Sequence, residues 1–464
     1  MPTRDYKEES VTIEKLKDEL KDDNKVKVAG IDINGVLRGK VISKEKFLSS
    51  VKHNSFGFCS VIFGWDLHDQ NYFQPSKYSS TENGYSDLLA KIDITSFRRI
   101  PWEDDIPFFL VDFFIEEGKI LPVCPRNVLK QVISNLNSLG FNPYCGVEYE
   151  WFNYDETPQS LSEHPSTPKF LTPGYFGYSL LRTNLKNDYF NDIFDQCKKI
   201  DIDIEGLHTE TGPGVYEAAL AYCPALKMAD NAVLFKTAVK QIGLKHNIMA
   251  SFMAKPKSDL PGCSGHIHLS LKDLQDTNNM FSDEGKNTSK TLDHFIAGLV
   301  LALPSIMPFL APTINSYKRL NENYWAPVRV AWGYDNRLAS IRVIAPPTCS
   351  KEATRIEIRV SGSDINASLA IAAILASGSY AIKNKLANPL PPLKEGQSLN
   401  DYPGEKLPKS LKEAHELMNA KDSFARKALG DDLIDHYSLV CRHEIDLFEG
   451  AVTDWETKRY FELI

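Results

Sequence analysis

Ile13, Leu16 and Leu20 of "VTIEKLKDEL" recur at three- and four-residue spacing, which predicts a short amphipathic helix near the start of the chain. The next stretch, "KVKVAGIDINGVLRGKVIS", reads as two strands around Asn34-Gly35. That dipeptide suits a two-residue type I′ hairpin turn, because both turn residues need positive φ. Strand-like runs continue through "FCSVIFGWDL" and "PFFLVDFFI" to about Pro122, predicting a small, mainly β first domain over residues 1–122. From "CPRNVLKQVISNLNSLG" onward helical and strand periods alternate, predicting a larger α/β domain over residues 123–464 and an α+β fold class overall. The longest apolar run, "HFIAGLVLALPSIMPFLAP", is interrupted by Pro304 and Pro308 and predicts a buried helix rather than a membrane span. "QSLNDYPGEKLPKS" (397–410) reads as an exposed loop before the last helices.

Composition narrows the possibilities. A chain of 464 residues with 42% hydrophobic content can bury a large core, and it exceeds the roughly 100–200 residues of a single domain. A net charge of -8 argues against nucleic acid or an anionic membrane as partner, since both call for a dominant basic surface. Any anion site must therefore be local, and the segment 312–344 carries Arg319, Arg329, Arg337 and Arg342. The eight cysteines are scattered without a CxxC pair, which fits a reducing compartment. "MPTRDYKEES" is charged where a secretion signal needs an apolar core, so a cytoplasmic location is expected.

Four strand-like segments carry polar residues at the strand period. In "CGVEYEWFNYDE", Glu148 and Glu150 leave one face of a strand roughly 7 Å apart. In "CSGHIHLSL", His266, His268 and Ser270 share a face. "GLHTETGPGVYEAAL" places Glu210 and Glu217 on either side of a Gly-Pro-Gly turn, and "ATRIEIRVSGSDINASLAIAAILASG" puts Arg355, Glu357 and Arg359 on one face ahead of an Ala-rich helix. Taken singly, each reads equally well as a solvent-facing strand or an ion-pair ladder. Together, an oxygen-rich set of glutamates with a histidine suits Mg²⁺ or Mn²⁺ rather than structural zinc. Two divalent ions faced by several arginines are the equipment of phosphoryl transfer, and no Walker A pattern is present.

The segments "GVEYEWF", "TETGPGVYE", "KPKSDLPGCSGHIHLSL", "NSYKRL", "DNRLASIRV", "RIEIRV" and "VTDWETKRYFELI" resemble, in order and wording, the glutamine synthetase family of the type I kind over nearly the whole chain. The look is nearest the branch that makes γ-glutamyl-amines and polyamine conjugates. The resemblance implies an N-terminal β-grasp domain, a catalytic domain with a funnel-shaped site, and a homo-oligomer of stacked rings, a dodecamer or decamer, with sites between ring neighbours. It implies one metal held by Glu150, Glu210 and Glu217, and a second held by Glu148, His266 and Glu357. Arg319, Arg359 and the loop at Gly262 resemble the glutamate-binding set; Arg337, Arg342 and Arg355 resemble the phosphate-facing group; His268 and Ser270 match nucleotide contacts. The implied chemistry moves the γ-phosphoryl group of ATP to the γ-carboxylate of glutamate, after which an amine or ammonium displaces phosphate.

Two departures bear on the amine. In ammonia-using members the positions of Trp325 and Phe58 are a glutamate and an aspartate that bind and deprotonate ammonium, and both are aromatic here. Losing two acids removes the obvious base, while a ring face still attracts a cation by about 0.5–2 kcal/mol and suits an alkyl chain. Trp325 and Phe58 therefore mark an altered amine site. The alternatives are that they pack a loop while ammonia is used through Glu322 or Asp66, or that the chain is a non-catalytic structural relative. Smaller departures are Val215 after the turn and "PGCSGH" in the glutamate loop, where Cys263 reads as a small buried thiol rather than a redox group.

Overall fold

Leu16 and Leu20 are buried along the stripe of the first helix, Ile13–Glu19, in a computed structural model that describes residues 13–164, 167–283, 288–321 and 326–464. The first sheet among these residues is built from β1 (Lys25–Ile31), β2 (Leu37–Ser43), β3 (Phe56–Cys59), β4 (Asp87–Ile92), β5 (Arg98–Ile100), β6 (Ile106–Glu116) and β7 (Lys119–Ile120). Its order is β2-β1-β6-β4-β3, with β5 and β7 attached to β6. The central strand β6 reads as a near-continuous apolar run because both faces are covered. Phe109, Val111 and Phe113 enter a core with Val26, Val28 and Phe47, while Phe108 and Leu110 point into the main core of the molecule.

The β1–β2 hairpin forms, but not with the two-residue turn expected from Asn34-Gly35. Ile31 pairs with Leu37, which leaves five residues in the loop, and of the dipeptide only Gly35 takes positive φ (+82°). Asp32 dictates this geometry: its carboxylate accepts the backbone N–H groups of Asn34 and Val36, both at 2.9 Å.

The second sheet comprises β8 (Phe141–Tyr154), β9 (Ile204–Thr209), β10 (Val215–Leu220), β11 (Cys223–Pro224), β12 (Met249–Ser251), β13 (Gly265–Asp273), β14 (Trp332–Tyr334), β15 (Ile341–Ile344) and β16 (Arg355–Ile358). Its order is β14-β15-β16-β13-β8-β10-β9, with β11 and β12 on β8. Helices Pro125–Ser138, Ala225–Lys245, Lys290–Leu310 and Ala367–Asn384 form its helical layer. The apolar run with two prolines is the third of these, and it is long and apolar enough to cross a membrane by composition, yet 78% of its most apolar 18-residue window is buried inside the protein. Close packing against the Ala-rich helix explains that composition: a Cβ at Gly298 would lie 2.3 Å from the Ser377 carbonyl. The segment 397–410 is less exposed than expected. Tyr402 and Leu407 are buried, and the Tyr402 hydroxyl donates to the Pro391 carbonyl at 2.6 Å.

Candidate active site

Alternation along β8 turns Val147, Tyr149 and Trp151 into the core and leaves Glu148 and Glu150 on the opposite face. Strand register extends this polar row sideways. His266 stands opposite Glu148 on β13, His268 faces Glu357 on β16, and Arg342 of β15 faces Glu357 in turn. On the other flank Glu217 of β10 faces Glu150, and His208 of β9 faces Glu217. Six strands thus deliver acids, imidazoles and an arginine to one face of the sheet.

The side chains gather in two groups. His266 Nδ1 lies 3.5 Å from Glu148 and 3.4 Å from Glu357, and His268 Nε2 lies 3.0 Å from Glu148. The ligand atoms of Glu148, His268 and Glu357 all fall within 4.8 Å of one another, and so do those of His208, Glu210 and Glu217. Glu150 sits between the groups, and its carboxylate accepts the Ser264 amide at 2.6 Å and the Ser264 hydroxyl at 3.0 Å.

Electrostatics separate the two ends. Burial disfavours the Glu148 carboxylate, but hydrogen bonds and charge from His266 and His268 outweigh it and hold the group well below the usual carboxylate range. Burial acts likewise on Glu357, where His266, Arg359 and His268 win and bring it to about 2. Glu217 behaves in the opposite way: burial, reinforced by Glu150, Glu148 and Glu210, pushes it up to about 9. Acids this crowded and uncompensated are what a bound cation would relieve, and carboxylates with imidazole are donors that divalent ions accept. The donor set therefore fits divalent metal.

The arginines surround this basin in three ways. Arg342 bridges Asp335 at 2.9 Å and Glu357 at 2.9 Å. Arg359 is ion-paired to Glu357 and donates from Nε to the Arg337 carbonyl at 3.1 Å, while Arg355 donates from Nε to His268 Nδ1 at 3.3 Å. Arg337 itself is exposed on the turn after β14. Arg319 is buried, and donates to the carbonyls of Arg359, Val360 and Ser361 at 3.3, 2.5 and 3.0 Å. Gly262 abuts it, since a Cβ there would fall 2.4 Å from Arg319 Cγ.

Other expected residues stand apart. Ser270 is buried against the Tyr222 hydroxyl. Phe58 is 7% exposed, edge-on to Phe113 at 5.4 Å, and within a single chain it belongs to the core of the first sheet and not to the acidic cluster. The alternation of β3 causes this, because Phe56 and Phe58 share the inward face and Gly57 and Cys59 the outer one. Asp66 is engaged by His443 at 3.1 Å. Trp325 and Glu322 lie outside the described residues. Cys263 is fully buried, and burial raises its thiol well above the ordinary range. Sequence reasoning passed over His208, although it sits two residues before Glu210 in "LHTETG" and the strand period alone puts both on one face. It also passed over Ser264 and Tyr178, which only the tertiary structure brings to the cluster.

Residues 122–460 match the family described as glutamine synthetase, catalytic domain. The chain is 46% identical over 445 residues to type-1 glutamine synthetase 2 of Dictyostelium discoideum, covering 95% of this chain and 84% of that protein. It is 32% identical to a glutamate–isopropylamine ligase of a Pseudomonas species, with 95% of each chain covered. Against the gamma-glutamylethanolamide synthetase of Streptomyces coelicolor the identity is 33%, with 93% and 91% covered. The solved structure of ligand-free GmaS superimposes with a TM-score of 0.81 at 25% identity, covering 97% of this chain and 99% of that one. The sheet that carries the acidic row and these full-length likenesses lead to one assignment: the chain belongs to the glutamine synthetase family and is a ligase that forms carbon–nitrogen bonds.

Proposed function

We propose that the enzyme joins the γ-carboxylate of glutamate to a primary amine or polyamine at the expense of ATP, through a γ-glutamyl phosphate. The observation that supports this most is the gathering of Glu148, Glu150, Glu210, Glu217, His266 and Glu357 on one sheet face beside Arg342, Arg355 and Arg359. In this reading Glu150, Glu210 and Glu217 would hold one divalent cation and Glu148, His266 and Glu357 a second, Mg²⁺ or Mn²⁺. Such cations supply charge neutralisation at phosphate oxygens. His208 is a further candidate ligand of the first.

The chain's own residues have distinct tasks. Arg319, Arg359 and the Gly262 loop would orient glutamate, and His268, Arg342 and Arg355 would hold the nucleotide, while Ser270 is buried against Tyr222. Arg337, exposed at the rim, would meet the charge that spreads over the phosphoryl group in transit. Activation is needed because a carboxylate is a poor electrophile: phosphorylation turns one of its oxygens into a leaving group, and the amine nitrogen then displaces phosphate and gives up a proton. The isopropylamine ligase and ethanolamide synthetase among the relatives, with an aromatic Trp325 in place of an acid, favour an organic amine. A second reading, glutamine synthesis from ammonium, is favoured by the 46% identity to a protein named as a glutamine synthetase.

We further read residues 1–122 as a β-grasp domain, residues 123–464 as the catalytic domain, the assembly as stacked rings and the location as cytoplasmic. The test is phosphate release from ATP with glutamate and Mg²⁺ or Mn²⁺, comparing ammonium with putrescine, spermidine, ethanolamine and simple alkylamines, with mass detection of products. γ-Glutamyl-alkylamide formation with little glutamine is expected. Efficient glutamine formation alone would establish the second reading instead.

A further inference from the structure

Asp364 lies between β16 and helix Ala367–Asn384, and its carboxylate grips the segment that carries Arg319. One oxygen, Oδ2, accepts the Ser316 hydroxyl at 2.6 Å and the Thr313 hydroxyl at 3.0 Å. Those residues also bond to each other: the Thr313 amide donates to the Ser316 hydroxyl at 2.9 Å, and the Ser316 amide to the Thr313 hydroxyl at 3.1 Å. The carboxylate thus closes the turn 313–316, and the Arg319 amide continues from it by donating to the Ser316 carbonyl at 3.1 Å. The other oxygen, Oδ1, is buried without a hydrogen-bond partner among the described residues, and a Cβ at Gly362 would fall 2.4 Å from it. A carboxylate held this way costs stability that an apolar side chain would not, so its presence calls for a reason.

The turn braces both elements assigned to glutamate. Arg319 follows it, and its guanidinium rests on the carbonyls of Arg359, Val360 and Ser361, the strand end that leads to Asp364 itself. Inside the turn, Asn315 accepts the Lys255 amide at 2.8 Å and donates to the Lys255 carbonyl at 2.9 Å, and Lys255 Nζ donates in turn to the Leu260 carbonyl. The loop approaching Gly262 is therefore held from the same turn. Just past Gly262, the Cys263 carbonyl accepts the Ser363 amide at 3.1 Å. Asp364 reaches the turn from a braced backbone, because Lys236 of helix Ala225–Lys245 donates to the carbonyls of Ser363 and Ile365 at 2.9 and 3.1 Å. A guanidinium that must meet a carboxylate in a fixed fork geometry loses affinity when its anchor shifts.

We propose that Asp364 is a positioning residue for glutamate: by pinning the turn 313–316 it sets Arg319 and the Gly262 loop in the geometry that receives the substrate. This rests on the reading of Arg319 and that loop as the glutamate end of an ATP-dependent ligase. The experiment measures KM for glutamate, KM for ATP and kcat by phosphate release, using whichever of ammonium or the amines the wild type turns over fastest. Wild type is compared with Asp364→Ala, Asp364→Asn and Ser316→Ala. Asp364→Ala loses both hydrogen bonds to a charged acceptor and should raise KM for glutamate by about tenfold or more, with KM for ATP within about twofold. Asp364→Asn keeps an oxygen for both hydroxyls and should return KM for glutamate to within about threefold of wild type. Ser316→Ala is the gentler change and should raise it by about threefold, which keeps the test open if Asp364→Ala does not fold. An unchanged KM for glutamate in Asp364→Ala, or in Ser316→Ala where the former does not fold, overturns the inference. So does an equal rise in KM for ATP, or an Asp364→Asn as impaired as Asp364→Ala. Each of these leaves the ligase reading intact, whereas wild-type phosphate release that needs no glutamate overturns both.

Discussion

Glu217 and Glu148 lie on one sheet face, yet neighbours drive their proton affinities apart: three carboxylates crowd the first, and two imidazoles serve the second. That contrast makes the residues separately testable. Glu148→Ala removes the acid that His266 and His268 both contact, and Arg337→Ala removes the rim cation. Each should lower glutamate-dependent phosphate release by about 10³-fold or more, as loss of a charge-stabilising group in phosphoryl transfer does. Full activity in either variant, in a steady-state assay, would remove that residue from the site. Trp325→Glu puts an acid at a position proposed to border the amine, and should shift kcat/KM toward ammonium by about tenfold. The faces of these residues were readable from the period of two, which puts Glu148 with Glu150 and His266 with His268. Their partners were not. Which strand lies beside which is decided by register and long-range pairing, so Glu217 opposite Glu150 and His208 opposite Glu217 could not be read along the chain.

Elements show where local signals compete with tertiary ones. Asn34-Gly35 announces a two-residue turn, but Asp32 offers the backbone a better set of hydrogen bonds and a longer loop wins. Loop 64–80 has no strong pattern of its own, yet it is fastened to helix Asp431–Gly450 by two buried histidines. His443 meets Asp66 at 3.1 Å, and His436 meets Ser76 at 3.1 Å with Tyr72 and Tyr78 around it. Burial lowers His436 to about 4, from an ordinary value of 6.5. The unfolded chain thus takes up a proton at a higher pH than the folded one, so this contribution is whole above pH 6.5 and is lost as pH falls from 6.5 toward 4. A shift of this size corresponds to about 3 kcal/mol at the lower end. Thermal midpoints measured between pH 7 and 4 should fall along this window, and His436→Phe should flatten that slope. An unchanged slope in the variant would free His436 of the effect.

At the scale of the molecule, the two sheets are tied by a buried ion cluster rather than by apolar packing alone. Arg126, at the start of helix Pro125–Ser138, binds Asp112 of β6 at 2.6 Å, Asp93 at 2.9 Å, and Asp230 of helix Ala225–Lys245 at 2.8 Å. Removing the cation leaves buried Asp230 without its ion pair, while Asp93 and Asp112 keep only Lys130, at 3.4 and 2.5 Å. Arg126→Ala should cost about 3–5 kcal/mol in a denaturant titration, and a loss near zero would show that the acids find other partners. The α+β character and the approximate place where one sheet gives way to the next were legible, because helical and strand periods change there. The Arg126 cluster was not, since Asp93, Asp112 and Asp230 are ordinary surface acids until the chain folds.

In the proposed reaction glutamate is activated by phosphorylation of its γ-carboxylate before the amine attacks. This order is tested most directly by running the reaction with glutamate carrying ¹⁸O in both γ-carboxylate oxygens and weighing the inorganic phosphate. One ¹⁸O should pass to each phosphate released while the other stays in the amide. Phosphate free of ¹⁸O alongside amide product would contradict the account.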